Sequence, residues 1–156
     1  MRSAAFCLRP FFAALVLLAA GAQAAWPGTG CAADTPAARA ALQAVAEELK
    51  AQGMAFSAAC GAATGAWTVQ VRVVDGLRAS KVVRGPLADG ESVDMGTPPG
   101  VALAGAARGA DGFSPDVRHN REWLRGVMAR HQFDNLPGAW WHYARRDAAR
   151  QTVAVR

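Results

Sequence analysis

Apolar residues recur at three- and four-residue intervals at Ala38, Leu42, Val45 and Leu49, the spacing that lays one stripe along a helix. Thr35-Pro36 ahead of them offers a hydroxyl N-cap and a proline at the first helical position. Gly53 follows where helices often end in the left-handed conformation. The pattern predicts a helix over about 36–52, with Glu47 and Glu48 off its apolar stripe. Met54 to Ala59 is a short apolar run that predicts a strand. The period then becomes two: Trp67, Val69, Val71 and Val73 alternate with Thr68, Gln70 and Arg72, a strand with one buried face. Asp75-Gly76 reads as the turn that ends it. Val82-Val83 reads as the start of another strand, interrupted by Gly85-Pro86.

Residues 85–116 are rich in Gly, Pro, Asp and Ala, and only Ser92-Val93-Asp94-Met95 has an ordered pattern of its own. A loop of that length inside a small domain is functional or mobile. Pro115 and Asp116 open a second helix, to about 131, with Val117, Leu124, Val127 and Met128 facing inward. Asn135-Leu136-Pro137-Gly138 is a turn that delivers the aromatic stretch Ala139-Trp140-Trp141-His142-Tyr143, and Thr152 to Val155 predicts a closing edge strand. No stretch repeats another. Helices and strands without a regular crossover rhythm predict a small single α+β domain, its helices packed on an antiparallel or mixed sheet.

The N-terminus changes this picture. Arg2 and Arg9 precede an unbroken apolar run from Phe11 to Ala20, and Ala22-Gln23-Ala24 supplies a small-x-small site. This is the pattern of a secretory signal peptide, residues 1–24, cut after Ala24. Its apolar run is too short to span a bilayer, so no membrane span is expected after cleavage. The expected mature domain, residues 25–156, is periplasmic or secreted. Its charge falls from +5 to +3, with 15 basic and 12 acidic residues. The arginines are scattered, which argues for a solvated surface and against a nucleic-acid site. Cys7 leaves with the signal, and Cys31 and Cys60 remain. An even pair in an exported chain predicts a disulfide, with two free thiols as the alternative.

Candidate chemistry centres on Trp140, Trp141, His142 and Tyr143. Two adjacent indoles fix the backbone on either side, and a neutral imidazole is a common zinc ligand. The competing reading is an aromatic cluster at the end of a core strand, with a locally bonded histidine.

Three pieces in order resemble the zinc D-alanyl-D-alanine dipeptidases and related peptidoglycan peptidases. They are Asp94-Met95-Gly96-Thr97-Pro98; the helix with Asn120-Arg121, Leu124-Arg125 and Val127-Met128, followed by Phe133; and Trp140-Trp141-His142-Tyr143. Together they cover roughly residues 92–146. The resemblance implies a zinc site in which a Ser-x-His-x-x-Gly-x-Ala-x-Asp segment gives a His and an Asp. A Glu-Trp-Trp-His segment gives the second His and a Glu that takes a proton from the attacking water. Here His142 keeps the second ligand position, the sole one retained. Ala139 stands at the position of the base. Aligned through the strand, Ala63 and Gln70 fall where the His and Asp belong; aligned backward from Asp94, Asp75 and Val82 do. Neither placement gives a ligand pair, and one imidazole does not make a four-coordinate zinc site. No counterpart is evident for the family's pocket-closing arginine, since Cys60-Gly61 stands there.

The expectation is therefore a dipeptidase-like exported protein that has lost zinc and catalysis. It would bind or scaffold near cell-wall peptides or a periplasmic protein partner, needing no cofactor. The alternative is an active zinc metallopeptidase with a site rebuilt from His119, Glu122, Asp75 and Asp94.

Overall fold

The side chain of Thr35 accepts a 3.1 Å hydrogen bond from the Ala38 amide, and helix α1 runs from there as Pro36–Ala51, burying Ala38, Leu42, Val45 and Leu49. Gly53, at φ +82°, then turns the chain into the sheet. A Cβ at that position would stand 2.6 Å from the Asp75 carbonyl oxygen, so the corner is closed to larger residues. The computed structural model describes residues 31–61 and 64–147. The signal peptide expected at 1–24 and the strand expected at 152–155 lie outside them.

Strands β1 (Met54–Gly61) and β2 (Ala66–Val73) form an antiparallel hairpin, with Met54 opposite Val73 and Gly61 opposite Ala66. A one-turn helix α2 (Gly76–Ala79) follows. Helix α3 (Pro115–Arg130) comes after the long loop, and strands β3 (Phe133–Asn135) and β4 (His142–Arg145) close the fold. The sheet order is β1-β2-β4-β3, antiparallel throughout, so the predicted α+β class holds. Element order helix-strand-strand thus occurs twice, without any repeat in the sequence.

Both helices pack against the sheet. Trp67, Val69, Val71 and Val73 share one core with Leu42, Val45 and Leu49 of α1 and Leu124, Val127 and Met128 of α3. At the outer seam, Trp123 Nε1 donates to Gln52 Oε1 at 3.2 Å. Glu48 there accepts from Arg130 and, at 2.8 Å, pairs with His131 Nε2. Cys31 and Cys60 form a disulfide, with Cα atoms 6.0 Å apart, inside the usual range. No helix among the described residues is long and apolar enough to cross a membrane.

Three local expectations are corrected. Val82-Val83 does not begin a strand: both amides donate to the Ala79 carbonyl at 2.9 Å, winding the chain off α2, and Val83 is buried there. Asp75-Gly76 is more than a turn, since Asp75 Oδ1 accepts the Arg78 amide and caps α2. Asn135 is the last residue of a strand that the turn pattern concealed.

Candidate functional site

β2 has two edges, and β1 fills one of them completely. On the other, β4 pairs only at Trp67↔Tyr143 and Thr68↔His142, with the Val69 amide donating to Trp141 O at 3.0 Å. Beyond that point the long loop takes over. The amides of Gly90 and Val93 donate to Val73 O and Val71 O, the Val73 amide donates to Glu91 O, and Arg72 forms a bridge with Ser92. The ordered pattern expected at Ser92–Met95 is this added pairing.

Alternation along the strands then sorts the side chains. Trp67 and Tyr143 fall on the buried face, and Thr68, Gln70 and Arg72 share the opposite face with His142. On that open face, where β4 gives way to the loop, lies a cleft of about 420 Å³, lined by Gln70, Ser92, Asp94, Met95, Thr97 and Trp140 among others. Gln70 Nε2 donates to Ser92 Oγ at 3.2 Å. Asp94 Oδ1 accepts the Gly96 amide at 2.8 Å.

The wall of the cleft is fastened from behind by α3. Asn120, fully buried, accepts from the Arg84 amide and donates to Arg84 O and Asp94 O, each at 2.9–3.0 Å. Arg121 spreads its guanidinium over three carbonyl oxygens: Met95 at 2.8 Å, Gly105 at 2.9 Å and Ala107 at 3.3 Å. It also lies 4.2 Å from the centre of the Phe113 ring, a cation–π distance. Burial draws its pKa below the ordinary value, and the Asp94 carboxylate pulls the other way. Trp140 completes the fastening. Its Nε1 donates to Thr97 Oγ1 at 2.9 Å, and its amide donates to Ala106 O.

The aromatic stretch is packed, not displayed. Trp140 and Trp141 are 4% and 3% exposed and meet edge to face at 5.4 Å. Burial raises the Tyr143 pKa above its ordinary value, with Arg125 opposing and Glu122 adding to the shift. Asn135 holds the stretch in place, its Nδ2 donating to the carbonyls of Ala139, Trp140 and His142. The half-buried ring of His142 stands edge-on to Trp141, 5.9 Å away. Ala139 is buried and carries no proton acceptor.

The residues of the rebuilt-metal alternative do not gather. His119 Nε2 is 2.9 Å from Val82 O, Glu122 pairs with Arg125, and Asp75 is taken by Arg78. Among the described residues no three His, Cys, Asp or Glu side chains lie together. Of the residues aligned with the missing ligands, Gln70 is on the open face, Val82 is in the turn after α2, and Ala63 lies outside the described residues.

The cleft therefore offers an amide, two hydroxyls and one carboxylate. Ser92 Oγ accepts from Gln70 Nε2 and lines the same cleft as Asp94. Sequence reading placed Asn120 only within the resemblance and Asn135 only within a turn, and gave neither a role in holding the site. The signal for Asn120 was its place on the apolar stripe of α3, three residues after Val117 and four before Leu124. No family model, curated protein or solved structure matches this chain.

Proposed function

We propose that this is an exported D-alanyl-D-alanine dipeptidase-like protein, acting in the periplasm or outside the cell. It binds peptide ends of the cell wall in the open-face cleft and has given up zinc and hydrolysis. One observation supports the kinship above others. Three pieces far apart in sequence meet at a single place: Asn120 and Arg121 bond to the backbone of Asp94 and Met95, and Trp140 bonds to Thr97. The loss of chemistry is read from the residues at that place. Ala139 cannot take a proton, and Gln70, a neutral amide, stands on the strand face beside the His142 pairing. With no base and an incomplete ligand set, neither the nucleophile nor its activation is supplied. What the cleft retains is suited to hydrogen-bonding a short peptide.

The mature protein titrated with zinc by calorimetry should show no binding tighter than micromolar. It should release no D-alanine from D-Ala-D-Ala, and Ala139→Glu should not restore release. The same dipeptide should bind wild type and lose affinity in Gln70→Ala. Stoichiometric tight zinc, abolished by His142→Ala, would defeat the proposal in favour of an active metallopeptidase.

A further inference from the structure

Strand β1 lies at one border of the sheet, and among the described residues no strand pairs with its outer side. Val69, Val71 and Val73 turn their backbone groups toward β4 and the long loop. The residues between them in β2 therefore bond to Ala55, Ser57 and Ala59, and the backbone groups of Met54, Ala58 and Cys60 point away from the sheet. Proteins cover or blunt an edge of this kind, since it otherwise pairs with other chains. Beside the start of β1 lies a second cleft, of about 550 Å³, between that strand, the end of α1 and the chain entering α2. Met54, Phe56 and Val74 line it, and Val74 is 58% exposed there. Its charged lining is balanced, Glu47 and Asp75 against Lys50 and Arg78. That balance gives an anionic surface or a polyanion no net field to follow. The lining suits an uncharged segment with one large apolar side chain.

Such a segment is tied to the same strand. The disulfide holds the Cys31 and Cys60 Cα atoms 6.0 Å apart, so the chain leading into Cys31 departs from the far end of β1. The residues ahead of it, Ala25-Trp26-Pro27-Gly28-Thr29-Gly30, carry no charged side chain and one large apolar one, and they lie outside the described residues. Trp26 is five residues before Cys31, a reach of up to about 17 Å in an extended chain. Phe56 is four residues before Cys60, about 13 Å along the strand. The reach is counted back from Cys31, so it holds wherever the chain is cut ahead of Trp26. Pro27 favours extended backbone at the residue before it. An occupant tethered in this way meets the cleft at an effective concentration on the order of millimolar, which a free partner would have to match. We propose that the second cleft is the seat of the chain's own N-terminal arm. Trp26 packs against Phe56 and Val74, and residues 27–30 run beside the outer edge of β1.

The test places a photoreactive side chain, Trp26→benzoylphenylalanine, in the mature protein. The variant is irradiated in dilute solution and the products are mapped by mass spectrometry. The expected product is an intramolecular link from position 26 to a peptide holding residues 46–56 or 74–78. Val74→Asp, at an exposed position outside the core, should cut the yield of that link about tenfold by removing apolar cover from the ring, with the far-ultraviolet dichroism unchanged. No link, a link to another part of the chain, or a yield indifferent to Val74→Asp overturns the inference. A link between two molecules assigns the cleft to a second copy and overturns it as well.

Discussion

Asn120 shows how one side chain can carry a wall of a cleft. Its amide meets one N–H and two carbonyls from segments 26 and 36 residues away in sequence, all in a fully buried place. Removing it strands those groups without water to replace it, and each buried unpaired group costs about 1–3 kcal/mol. Asn120→Ala should therefore destabilise the protein by about 2–4 kcal/mol in urea unfolding. It should also raise hydrogen exchange at Arg84 and around Asp94 before global unfolding. An Asn on an apolar helical stripe is legible as an anomaly. What it holds is not, because its partners are backbone groups whose arrival depends on how the loop folds.

Among the elements, α1, β2 and α3 were legible because each is long enough to show its period, and the residues of their predicted stripes are buried; β1 was legible only as a short apolar run. β3 and β4 are three and four residues long, too short for alternation to appear. The ordering of the long loop was hidden for another reason. Arg121, Asn120 and Trp140 act on its backbone carbonyls and amides, and backbone groups leave no trace in residue type. Site geometry was legible only in part: Trp140 and Asp94 do reach the cleft, but Gln70 and Ser92 get there through a pairing that begins with loop residues. The seam between α1 and α3 gives a further prediction. Burial alone would raise the Glu48 pKa, but hydrogen bonds from Arg130 and His131 outweigh it and hold the carboxyl below its ordinary value. A depressed folded pKa stabilises above the unfolded value near 4.5, and the contribution disappears as pH falls through the folded value. Glu48→Gln should thus cost about 1 kcal/mol at pH 7, and the gap to wild type should narrow in acid, as followed by thermal melts across pH 3–7.

At the scale of the molecule, the Cys31–Cys60 disulfide ties the chain ahead of α1 to the far end of β1. Closing a loop with a sequence separation of 29 stabilises by roughly 3–4 kcal/mol on the chain-entropy account. Cys31→Ser/Cys60→Ser should lose about that much in urea unfolding and become insensitive to reductant. Alkylation of the wild type without reductant should label neither cysteine.

The divided edge of β2 also sets an order of assembly. The β1–β2 hairpin is local and forms within about 1–10 μs, whereas Trp67 and Tyr143 stand 76 positions apart and must wait for the intervening chain to collapse. A chain caught between those events has a finished hairpin with a bare, Val-rich flank, the kind of edge that pairs with other chains. The face that holds the cleft is then the last to close, and its long loop shields that flank as well as walling the cleft.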